Sequence, residues 1–110
     1  MANTYKILGQ SNPAATTDTE VYKVTGSGKQ AIVSSITLAN ISGSAITYRV
    51  RIAIDDAGAD NKQYLAYDSS IPANDSVILT VGVTLDENDS INVYASDTNL
   101  ACNVFGVEIE

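Results

Sequence analysis

An antiparallel β-sandwich of about eight strands is the fold class that this chain predicts, with jelly-roll and immunoglobulin-like topologies both open. Three observations predict it. Apolar residues alternate with a period of two along several segments, turn-forming clusters recur at strand-length intervals, and no segment carries the i, i+3, i+4 apolar stripe with caps that marks an amphipathic helix. Val, Ile, Thr and Tyr fill the alternating runs, which suits a pleated, half-buried surface. The 110 residues fit one domain, residues 1–110, and a chain of that size buries roughly 60 to 70% of its unfolded surface, enough for one core and no second catalytic domain.

In chain order, "YKILGQ" and "EVYKV" are short candidate strands. "QAIVSSITLAN" carries apolar residues at both parities, as expected where both faces are partly covered. "SAITYRVRIAI" is cleaner: Ile46, Tyr48, Val50, Ile52 and Ile54 share one side, while Thr47, Arg49, Arg51 and Ala53 take the other. Arg49 and Arg51 therefore point outward together. "KQYLAYD" is a weaker candidate that places Tyr64 and Tyr67 on opposite faces. "SVILTVGVTL" turns Val77, Leu79, Val81, Val83 and Leu85 inward, "DSINVYA" continues with Ile91, Val93 and Ala95, and "LACNVFGVEI" is again apolar at both parities. Between the runs lie "GSGK" at 26–29, "NISGS" at 40–44, "DDAGADN" at 55–61, "IPAND" at 71–75, "DEND" at 86–89 and "SDTN" at 96–99, all built from turn residues. The Cys, Trp, Cys hallmark of a true immunoglobulin domain is absent, since the chain has no Trp.

Chemistry is sparse. There is no His, which removes the Ser-His-Asp and Cys-His classes and the commonest metal imidazole. The acidic cluster Asp86, Glu87, Asn88 and Asp89 lacks the alternate-ligand spacing, central Gly and distal Glu of a helix-loop-helix calcium loop, as does "DDAGADN". Its carboxyls sit on one hairpin tip rather than across a cleft, so a tight strand connection is the expectation, with Asn88 in the left-handed conformation. "GSG" leads into a strand and not a helix, so it cannot cradle a phosphate. Cys102, the single cysteine, sits among apolar neighbours and reads as a core residue. The residue inventory thus predicts no catalytic residue, no metal site and no cofactor. The net charge of −7 and a lack of cation blocks argue against direct nucleic-acid binding. No run approaches the roughly 18 apolar residues of a spanning helix, so no membrane partner is expected. "MANTYKILGQ" has no signal-peptide core, and expression in a cytoplasm is the simplest expectation. Asn40, Asn74 and Asn88 begin formal N-x-Ser sequons, read here as chance matches.

Six Tyr against one Phe is an unusual supply. Tyr is favoured at protein contacts and sugar-binding surfaces because it adds large area with a polar tip, although half-buried strand tyrosines need no such explanation.

The segments "YKILGQSNPAATTDTEVYKV", "AIVSSITLANISGSAITYRVRIAI", "KQYLAYDSSIPANDSVILTVGVTLDENDSINVYAS" and "NVFGVEI" together resemble small β-sandwich virion proteins of tailed bacteriophages, variously head decoration (cement), tail or fibre-associated components. The resemblance covers nearly all of the chain and rests on strand motifs and turns. It implies a non-enzymatic virion protein made in the host cytoplasm, first of all a capsid decoration protein that binds the major capsid protein and assembles as a homo-oligomer, with a trimer among the candidate orders. A tail, baseplate or fibre subunit is the alternative within the virion, and a carbohydrate-binding module the alternative of another class.

Candidate interface residues are Tyr5, Ile7, Leu8, Arg49 and Arg51. The two arginines form either an ion-pairing seam with a neighbouring subunit or a solvated stripe that blunts edge pairing, and either reading leaves the isolated domain indifferent to their removal. Residues 1–19 are a candidate N-terminal arm: Tyr5, Ile7 and Leu8 precede the small, polar "SNPAATTDT" at 11–19, which is too poor in apolar surface to order itself. Such an arm can add a strand to another subunit's sheet, or residues 5–9 can be the first strand of their own domain.

Overall fold

The alternating runs become eight strands in the computed structural model, which describes residues 3–110. In chain order they are β1 (Asn3–Ser11), β2 (Thr19–Lys23), β3 (Gln30–Asn40), β4 (Ile46–Ala53), β5 (Tyr64–Ile71), β6 (Ser76–Leu85), β7 (Ser90–Ala95) and β8 (Leu100–Ile109). Two short 3₁₀ turns, Ile54–Asp56 and Asn61–Gln63, interrupt the β4–β5 connection.

The pairing is nested. β1 pairs with β8, β2 with β7, β3 with β6 and β4 with β5, all antiparallel. The chain is therefore one long hairpin, and it wraps on itself when β3 also pairs with β8 and β4 with β7. The result is two four-stranded sheets, β1-β8-β3-β6 and β2-β7-β4-β5. This interleaved order of eight strands is the jelly roll, and it decides between the two topologies that strand spacing left open.

The inward sides of both sheets form one core. Ile36, Leu38 and Val104 from the first sheet meet Val50, Ile71, Ile91 and Val93 from the second, and all are fully buried. Tyr48 joins them, as its parity predicts, and so does Cys102, as its apolar neighbours predict. On β6 the inward set Val77, Leu79, Val81 and Val83 is only half-buried, because this strand is an edge, while Leu85 closes the core beneath it. Among the described residues, no buried side-chain nitrogen or oxygen lacks a partner, as a stable interior requires. Asn40 shows how: its amide donates to the carbonyls of Ser44, Ile71 and Pro72, and its oxygen accepts from the Ser42 amide and hydroxyl. The Asn40 sequon is thus an internal loop brace.

Two strands of the first sheet, β1 and β3, contain bulges. The β1–β8 register shifts between Ile7 and Gly9, and β3 shifts against both neighbours between Val33 and Ser35. Inward parity in β3 accordingly changes from Ala31 and Val33 to Ile36 and Leu38. Gly106 lies beside this bulge, where a Cβ would collide with the Ile32 carbonyl, so only glycine lets the strands approach.

Four expectations change. Ile54 does not extend the inward row of β4: the strand ends at Ala53, and Ile54 is exposed on the following 3₁₀ turn. Ala53, placed outward by parity, is buried, as are Ser90 and Asn92 on the neighbouring strand. Tyr64 and Tyr67 do not take opposite faces; their rings meet edge to face with centroids 4.9 Å apart. Residues 12–18 are held against the sandwich by polar contacts and one buried proline. The Asn12 amide donates to the carbonyls of Thr98 and Leu100, Pro13 is buried, and Thr16 N–H donates to Ala95 O at 2.7 Å. Within this single chain β1 pairs with its own β8; Met1 and Ala2, the start of the candidate arm, lie outside the described residues.

Candidate functional site

The outer face of the second sheet carries the densest polar and aromatic constellation. Arg49 stands opposite Tyr94 across the β4–β7 pair, and Arg51 opposite Asn92. On the other flank, β5 has an extra residue between the Val50–Ala66 and Tyr48–Ser69 pairs. Asp68 in this bulge has φ +51°, a conformation that costs a non-glycine residue free energy. The bulge turns both Tyr67 and Asp68 onto Arg49. The Arg49 guanidinium donates from Nε to Asp68 Oδ1 at 2.7 Å and from Nη2 to Oδ2 at 3.3 Å. Its central carbon lies 4.2 Å from the Tyr67 ring centroid and 4.3 Å from that of Tyr94, within cation–π range of both. The bond to Asp68 raises the Arg49 pKa further, so the group is a permanent cation clamped between two rings. Tyr64 extends the aromatic row beyond Tyr67.

Arg51, two residues on, has a different role. It is 7% exposed, covered by the β4–β5 connection. Its Nε and Nη2 donate to the Asp18 carboxylate at 3.0 and 2.5 Å, and its Nη1 donates to Ala57 O at 3.2 Å and Gln63 Oε1 at 3.1 Å. One guanidinium thereby joins β4, the segment before β2 and the loop before β5. The bond to Asp18 raises its pKa. Arg49 and Arg51 do share the outward side, but Arg51 is a buried brace and not part of a solvated stripe.

The other candidate interface residues lie elsewhere. Tyr5 and Ile7 face outward on the first sheet, across the sandwich from the arginines, while Leu8 packs against the core at the β1 bulge. The five residues therefore do not form one surface. Sequence reasoning missed Asp68 and Tyr94 as partners of Arg49, and Tyr94 was accessible only once strand register was known.

The acidic tips are corners. Asn88 has φ +69° and Asp89 N–H donates to Asp86 O, closing the turn between β6 and β7. The Asp89 carboxylate accepts from the backbone amides of Asp55 at 3.0 Å and Asp86 at 2.9 Å, holding two loops together. Asp56 accepts from Ser90 Oγ and Lys23 Nζ, which lower its pKa. Glu20 nearby moves the other way, raised by burial and then by the charge of Asp56. Burial pushes the Cys102 thiol up to about 12, which makes it inert as a nucleophile. A concavity of about 380 Å³ between β3, β6 and β8 is bordered by Asp86 and Asp89, whose carboxylates already accept backbone amides. No family model matches this chain, and no curated protein or solved structure matches it either.

Proposed function

We propose that this chain is a non-enzymatic virion structural protein of a tailed bacteriophage, a capsid decoration protein that stabilises the head lattice by bridging major capsid subunits. The observation that carries the reading is the complete jelly roll, an architecture used by viral capsid and lectin domains. This is an analogy of fold, and the inventory of side chains supports it. Of the six Lys and Arg, Lys6, Lys23, Lys29, Arg49 and Arg51 are each committed to an internal ion pair. The thiol is buried, and the acidic tips brace loops. What remains available is surface, and a decoration domain acts through surface alone: roughly 800 Å² per partner makes a standard interface, and a lattice of repeated sites makes moderate affinity sufficient.

The test is imaging of particles assembled with and without this protein. The reading expects regular density on the head lattice that disappears in its absence, together with earlier loss of packaged DNA on heating. Density confined to the tail, baseplate or fibre would move the protein to the alternative place in the virion, and intact particles lacking any copy would refute the virion reading altogether.

A second reading has its own observation. Tyr67, more than half exposed beside the Arg49–Asp68 pair, offers an aromatic ring next to fixed donors and acceptors, which suits a saccharide. Glycan binding lost in Tyr67→Ala would support a carbohydrate-binding module; a glycan screen without hits removes it.

A further inference from the structure

Among the described residues, the outward positions within the strands of the first sheet carry no charged side chain, with Asp86 and Asp89 only at one margin, and we infer that this face packs against the same face of a second copy of this chain. Cross-strand register defines the face. One row runs Tyr5, Val107, Ile32, Thr84 across β1, β8, β3 and β6. The next runs Ile7, Phe105, Ser35, Thr80. The rows beyond carry Ile78 at one end and Ile109 at the other, among Asn, Gln, Thr, Ser and Ala. No outward position in these rows is Asp, Glu, Lys or Arg. Lys6 and Glu108 lie on these strands but at the opposite parity, where they pair with each other at 2.7 Å and Glu108 accepts from Tyr22.

The apolar residues on the face are open to solvent: Tyr5 is 79% exposed, Ile78 65%, Ile7 50% and Ile32 40%. Solvent-facing strands ordinarily carry polar or charged residues on that side, and the second sheet does so with Arg49 and Asp68. A face this apolar is an interaction surface.

Charge identifies the occupant. The chain has thirteen acids against six cations, so two copies repel at any surface where acids meet. A cationic partner would be drawn to the acidic loops at the ends of the sandwich. An identical copy gains close contact where neither side brings a charge, and this face provides it. Size agrees: four strands about 4.8 Å apart and rows about 7 Å apart give a face of roughly 20 by 30 Å. Its corrugated surface approaches the roughly 800 Å² per partner of a standard interface. Two such sheets stack about 10 Å apart with side chains interdigitated, as the two sheets of a sandwich do. A flat face engaged in this way is saturated by one partner, so the assembly closes as an isologous dimer.

The inference stands apart from the virion reading, because it concerns the isolated chain. Sedimentation equilibrium of the whole protein from about 1 to about 100 µM is expected to show twice the 11.6 kDa chain mass. Association should tighten with added salt as repulsion between the acidic rims is screened. Ile32→Asp should weaken the dimer at least about tenfold, while Leu65→Asp, on the edge strand of the other sheet, should leave it intact. Tyr5→Glu, at a side chain mostly in solvent, repeats the test should Ile32→Asp fail to fold by circular dichroism. A monomer throughout, a trimer, or an Ile32→Asp or Tyr5→Glu protein that folds and dimerises like wild type would overturn the inference.

Discussion

Replacing Arg51 by Met separates a buried brace from an exposed cation. The methionine keeps the aliphatic stem and deletes the guanidinium. Lost with it are the two short bonds to Asp18 and single bonds to Ala57 O and Gln63 Oε1. Hydrogen bonds to charged groups contribute roughly 1.5–3 kcal/mol each, and breaking a fully buried pair costs about 3–5 kcal/mol. The full figure does not apply, because the Asp18 side chain is 39% exposed against 8% for Arg51 and rehydrates when released. The expected loss is about 2–3 kcal/mol, larger than the roughly 0–1 kcal/mol of a surface pair. For a domain of this size that lowers Tm by about 10–15 °C. Urea unfolding followed by tyrosine fluorescence and far-ultraviolet circular dichroism measures it, and Asp18→Asn completes a double-mutant cycle. Arg49→Met is the internal control, with a distinctly smaller shift in midpoint. Equal losses from the two arginines, or no coupling between Arg51 and Asp18, would refute the brace.

Gly106→Ala should destabilise by about 2 kcal/mol or more, since the added Cβ meets the Ile32 carbonyl and the strands must part; Gly58→Ala, with open space around it, should stay within about 0.5 kcal/mol. Cys102 should resist alkylation in the native protein at pH 8 and react at the rate of unfolding, so rapid native labelling would contradict its burial. Acid should destabilise the fold in part through Glu108. Bonds from Lys6 and Tyr22 hold its carboxyl below the usual range, so its contribution is complete above the unfolded-state value near 4.5 and is lost as pH falls through the lower folded value. Glu108→Gln should flatten that limb of a stability–pH curve. Glu20 has the opposite sign: burial and Asp56 raise its pKa, so its penalty is present at neutral pH and lifts as pH falls through the raised value. Glu20→Gln should therefore stabilise at pH 7, and a loss there would contradict the assignment.

Local pattern alone determined much of the fold. Alternation placed Ile46, Tyr48 and Val50 of β4 and Ile91, Val93 and Ala95 of β7 in the core, because a regular strand turns every second side chain to the same side. The turn clusters marked the connections, since Asn88 and its neighbours supply backbone conformations that strands cannot. Only the tertiary structure decided the rest. A bulge adds one residue and inverts parity beyond it, so the faces of β3 and the partners of Arg49 were illegible until β5 and β8 were paired in register. Arg49 and Arg51 are equivalent by parity, yet Asp18 and the 54–63 connection bury one of them, a non-local covering that strand periodicity does not encode. The outer face of the first sheet joins β1 to β8 from opposite ends of the chain. In sequence it left only the double-sided apolar runs of "QAIVSSITLAN" and "LACNVFGVEI", because a sheet surface is a property of register among strands and not of any strand by itself.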